Sequence, residues 1–99
     1  MIALTIDLQE GFKGDKVVLY VNGEEVYRKN QVKTKRLLGM AGSFTTEVET
    51  GPVNVEIRVA TQDLAETIPL QVSSDTYLGI SVVNGMIDPI VSEEPFGYG

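Results

Sequence analysis

Apolar and polar side chains alternate with a period of two along most of the chain, and a β-strand turns that period into one buried and one open face. Ile2, Leu4, Ile6 and Leu8 share a face while Ala3, Thr5, Asp7 and Gln9 share the other, which predicts a strand over residues 2–8. Residues 10–15 carry two glycines and several charges, the composition of a turn. The next strand, 17–21, is apolar on both faces, with Val17, Leu19 and Val21 set against Val18 and Tyr20, and so reads as central in its sheet. Asn22-Gly23 follows at once. It predicts a hairpin, because a type I′ turn needs positive φ at both central residues. The return strand is 24–29.

Residues 30–42 form the longest connection. Within it Leu37, Leu38 and Met40 lack strand alternation, which predicts a helical turn over 35–40, and the apolar stretch 37–42 is expected to cap an open end of the core. A strand over 44–48 and a turn at Thr50-Gly51-Pro52 lead into the cleanest alternation, Val53, Val55, Ile57 and Val59 inward with Asn54, Glu56 and Arg58 outward. Residues 63–65 reverse the chain into 68–72, where Pro69 has no N–H to donate and marks an edge strand. Residues 73–75 turn into 76–83, and a second Asn-Gly pair, Asn84-Gly85, leads to 87–91. About seven or eight short strands with turns at this spacing predict an all-β, antiparallel β-sandwich. A single domain over 1–94 is expected, with a short tail, 95–99, folding back over a sheet edge or a core end.

The stretch 44–59 resembles the transthyretin-like (prealbumin-type) domains, the PEGA and carboxypeptidase-regulatory kinds among them, in which a proline-glycine hairpin precedes Val-x-Val-x-Val. Here the run is Gly51-Pro52-Val53-Asn54-Val55-Glu56-Ile57-Arg58-Val59, with glycine and proline in the opposite order. Residues 68–72 and 77–82 are similar to the closing strands of such domains, and the likeness spans about residues 20–83. It implies an immunoglobulin-like or transthyretin-like architecture and an accessory role in contacting protein or carbohydrate. It carries over no catalytic residue.

Composition narrows the chemistry. Of 99 residues, 42% are apolar and 22% charged, the balance of a globular domain. There is no cysteine and no histidine. That removes disulfides, thiol nucleophiles, a Ser-His-Asp triad and the usual zinc and haem ligands, so a non-catalytic domain without metal or cofactor is expected. A net charge of −6 disfavours broad contact with nucleic acid or anionic membrane. No basic leader precedes the first strand, and no apolar run nears the ~18 residues of a membrane helix, so a soluble, cytoplasmic protein is expected.

The charge is unevenly spread. Arg28, Lys29, Lys33, Lys35 and Arg36 are five of the eight basic residues, and no acid lies between Glu25 and Glu47. Three bases and fourteen acids leave −11 on the rest of the chain against +5 here. These five residues are the candidate binding site, for a protein or a small anionic ligand. If every connection reverses direction, 10–15, 30–42, 61–65 and 84–88 gather at one end, while 22–23, 50–52, 73–75 and the tail gather at the other. Loop clusters of this kind build binding sites on sandwiches. Glu10, Asp15, Asp63, Glu66 and Asp88 fall near the first end but lack the Asp-x-Asp-x-Asp-Gly series of a calcium loop.

Two further readings compete with the binding module. In one, the chain is a structural subunit that self-associates, as a homodimer, through an edge strand. Strand 2–8, with only Asp7 charged, is the edge expected to accept it. In the other, a carbohydrate-contacting domain aligns Tyr20, Tyr27 and Tyr77 on one face.

Overall fold

In the computed structural model, which describes residues 1–98, eight strands follow one another. They are β1 (Ile2–Leu8), β2 (Lys13–Val21), β3 (Glu24–Lys33), β4 (Gly42–Val48), β5 (Gly51–Val59), β6 (Leu64–Val72), β7 (Thr76–Val83) and β8 (Met86–Ser92), with a 3₁₀ turn, Ala60–Gln62, before β6. They form two four-stranded sheets, β4-β1-β7-β8 and β3-β2-β5-β6. The result is an all-β sandwich, compatible with an immunoglobulin-like fold. Among the described residues, no helix is long and apolar enough to cross a membrane.

Local chemistry sets the turns. Asn22 and Gly23 have φ of 50° and 83°, Asn84 and Gly85 of 52° and 73°, the positive pairs that a type I′ hairpin requires. The alternating residues then meet between the sheets: Leu4, Ile6 and Leu8 from β1, Leu19 from β2, Ile57 from β5 and Ile80 from β7 are all fully buried. Each such side chain contributes roughly 1.5–3 kcal/mol of apolar burial. β2 is central, between β3 and β5, as its two apolar faces predict. Its outward Val18 is only 5% exposed. Arg28 and Arg58 are its neighbours in register on either side, and the aliphatic stems of such residues can cover apolar surface. β6 is an edge strand, as Pro69 predicts.

Several expectations are corrected. β1 is not an edge: β4 pairs with it antiparallel and β7 parallel, so both of its backbone edges are occupied and no second subunit can add there. Among the described residues, that β1–β7 ladder is the one parallel pair among six. β3 continues to Lys33 instead of stopping at Lys29. The register passes from Val17↔Lys29 to Asp15↔Val32, and Gln31 takes φ 55°. This bulge absorbs the extra chain and returns Val32 to the core. The long connection is thereby shortened to residues 34–41.

Within it, residues 35–40 make one hydrogen-bonded turn and no helix, with the amides of Leu38 and Gly39 donating to the Lys35 carbonyl at 3.1 and 2.8 Å. Leu37 and Leu38 do not cap the core; they are 90% and 43% exposed. Phe12, which the sequence places in a turn, closes that end instead. It is put there by the β1–β2 crossover, which lies against β7: the Gln9 amide donates to the Ile80 carbonyl and the Val82 amide to the Glu10 carbonyl, each at 2.8 Å.

Strand directions gather residues 9–12, 34–41, 60–63 and 84–85 at one end, and 22–23, 49–50 and 73–75 at the other, as expected from the reversals. The tail departs from its expected end. It leaves β8 beside Tyr77 and returns over the outer face of the first sheet, so that the Tyr98 hydroxyl donates to Asp7 Oδ2 at 2.7 Å. Gly99 lies outside the described residues.

Candidate functional site

The segment between β3 and β4 is pinned at both feet. The Thr34 amide donates to the Phe12 carbonyl at 2.9 Å, and the Thr34 hydroxyl donates to the Gln9 carbonyl at 2.6 Å while accepting the Phe12 amide at 3.1 Å. At the other foot the Ala41 amide donates to the Leu8 carbonyl at 2.6 Å. Between them a Lys35↔Met40 bridge closes the turn, and Gly39 supplies the positive φ of 67° that its tight return needs. The tip is therefore held by backbone hydrogen bonds at a defined place beside β3.

An open groove of about 720 Å³ runs along this segment, lined by Lys29, Lys33, Lys35 and Arg36 over an apolar floor that includes Val32, Leu38 and Ala41. Four of the five predicted basic residues are brought together. The fifth is not: Arg28 does not line the groove, and its guanidinium pairs with Glu25 at 2.6 Å. That hydrogen bond, with the attendant charge attraction, holds the Glu25 carboxyl below and the Arg28 guanidinium above their ordinary values.

Among the described residues, the only other ion pair is Arg58 with Glu56, at 2.5 Å. Lys29, Lys33, Lys35 and Arg36 are exposed and belong to no ion pair. Among the described residues no ion-paired carboxylate offsets their charges, and cations within a Debye length of each other, about 10 Å at 0.1 M salt, act together on a nearby anion.

The carboxylates of the same end do something else. Asp15 is buried, and its oxygens accept hydrogen bonds from the Thr61 hydroxyl, the Lys13 amide at 2.8 Å and the Gln62 side-chain amide at 2.8 Å. Burial pushes its carboxyl up, but these donors and the Lys13 charge outweigh burial and hold it below the usual range. Asp15 thus ties the 3₁₀ turn to the start of β2. Among the described residues, no three acidic groups converge as metal ligands would.

The three tyrosines do not share a face. Arg58 lies 5.0 Å over the Tyr20 ring on the outside of the second sheet. Tyr27 packs on the core against Phe44, with ring centroids 5.9 Å apart and its hydroxyl pushed up by burial. Tyr77 is half-buried on β7, in the other sheet.

A second polar cluster escaped the sequence reading. Asp7 is buried on the outer face of β1, where it accepts the Ser43 hydroxyl at 2.6 Å as well as that of Tyr98, and Gln9 Nε2 donates to the Tyr98 oxygen at 3.0 Å. Burial, with Asp7 reinforcing and Gln9 opposing, pushes the Tyr98 hydroxyl up to about 12. A tyrosine in a glycine-flanked tail gives no local sign of where it will dock.

Comparison with known protein families, characterised proteins and solved structures finds no match to this chain.

Proposed function

We propose that this chain is a non-catalytic binding module whose partner presents negative charge to the groove between Lys29, Lys33, Lys35 and Arg36. The observation that carries this reading is that the four cations line one groove yet belong to no ion pair among the described residues. The apolar floor supports it further, since ligand sites combine apolar walls with a few orienting polar groups. Amide NMR of the labelled protein, titrated with a short polyanion, is the test. Shifts confined to residues 29–41 and the neighbouring crossover, weakening as salt rises, are expected. A spectrum that does not move overturns the reading.

For the architecture we propose the transthyretin-like arrangement. The likeness of residues 44–59 supports it, and so does the sheet partition. Here β1 pairs with β4 and β7, and β3 with β2. An immunoglobulin constant domain instead places its first strand beside the second and its third beside the sixth.

A further inference from the structure

We infer that the anionic partner is a second copy of this chain, the cationic turn of one copy docking into an acidic hollow at the far end of the next. The inference rests on the groove's being an anion-binding surface, and it names what fills that role. The hollow, about 590 Å³, lies between the β2–β3 hairpin and the β4–β5 turn. Glu24, Glu47 and Glu49 line it together with Val26, Val48 and the exposed Met1, and no lysine or arginine does. These three glutamates are exposed and belong to no ion pair among the described residues. The groove therefore gathers unpaired cations and the hollow gathers unpaired carboxylates.

Position matches charge. β3 begins at Glu24, on the hollow, and carries Lys29 roughly 17 Å and Lys33 roughly 30 Å farther along, at about 3.3 Å per residue. The cationic turn joins β3 to β4, and the hollow is bounded by the turns at the opposite ends of those same two strands. Both features therefore lie on one side of the sandwich, and a copy displaced by one molecular length along the strands sets its turn against the hollow. Lys35 and Arg36 then face Glu47 and Glu49, and Leu37, 90% exposed, meets the apolar lining of Val26 and Val48. The two joined surfaces differ, so the contact is heterologous and repeats into an open chain of subunits instead of closing as a dimer. Each copy carries −6, but at about 0.1 M salt repulsion beyond about 10 Å is screened and the local match is felt.

Sedimentation velocity over rising concentration, in about 0.1 M and then about 1 M salt, tests the inference. Wild type is expected to at least double its average mass above the 10.8 kDa monomer at the lower salt and to return to monomer at the higher. A turn variant, Lys35→Gln with Arg36→Gln, and a hollow variant, Glu47→Gln with Glu49→Gln, should each be monomeric alone, with unchanged circular dichroism. Mixed together, they retain one intact turn and one intact hollow between them, and should form a species of twice the monomer mass and nothing larger. Wild type that stays monomeric, association that survives either variant, or a mixture that stays monomeric overturns the inference. If wild type is monomeric while the polyanion titration still moves residues 29–41, only the second-copy inference falls. A silent titration overturns the anion-groove reading itself.

Discussion

Gly11 allows the crossover between the sheets to lie as close as it does. Its φ is 87°, and a β-carbon there would overlap the backbone carbonyl of Val82, which cannot swing aside as a side chain would. Gly11→Ala combines a left-handed backbone cost of roughly 1–2 kcal/mol with overpacking of roughly 1–3 kcal/mol. Urea denaturation should show a loss of about 3 kcal/mol. Asp15 acts through charge: Asp15→Asn keeps the shape but replaces an acceptor-only group with one that must present an N–H to donors, at a cost of about 2–3 kcal/mol. Because the folded carboxyl lies below its ordinary value, that contribution is present above the unfolded value near 3.9 and is lost as pH falls through the folded one. The stability gap between wild type and Asp15→Asn should therefore be full at neutral pH and shrink below about pH 4. Neither role was legible in the sequence. Gly11 and Asp15 read as generic turn residues because the groups they meet, Val82, Thr61 and Gln62, are distant in the chain.

At the scale of the element, the segment between β3 and β4 depends on Thr34, which carries no charge of its own. Thr34→Val removes the hydroxyl that joins Gln9 and Phe12 and should cost about 1–3 kcal/mol. The same variant should weaken polyanion binding severalfold in the NMR titration, because Lys35 and Arg36 lose a fixed base. Equal affinity for wild type and variant would mean that the groove does not need that anchor. Hairpins and alternation were legible here because they are local: Asn-Gly fixes its own φ, and a period of two assigns faces without reference to a partner strand. The edge role of β6 was legible because Pro69 lacks a donor. The bulge near Gln31 was not, since a one-residue register shift answers to which neighbour brings Val32 into the core. The central position of β1 was hidden for the same reason: its low charge is compatible with an edge or an interior, and only the pairing with β4 and β7 decides.

Across the whole molecule, the charge asymmetry visible in the chain becomes a directional one, cations at one end of β3 and unpaired glutamates at the other. Arg28 separates sequence proximity from spatial grouping. Arg28→Ala should leave polyanion affinity unchanged, because Glu25 already neutralises it and it lies outside the groove, whereas Lys33→Ala, Lys35→Ala and Arg36→Ala should each weaken binding and lower its salt dependence. Isothermal titration at two salt concentrations separates these outcomes. The sequence by itself determined the all-β class, the two Asn-Gly hairpins, the loops that share an end and the segment that holds the basic charge. Each of those follows from side-chain periodicity, from backbone preference at one or two residues, or from simple counting. The tertiary structure alone decided that β1 is interior to its sheet, which cations stay unpaired, that Phe12 rather than Leu37 seals the core, and that Tyr98 docks on Asp7. Those outcomes depend on contacts between residues far apart in the chain, and no local pattern encodes which distant group will arrive.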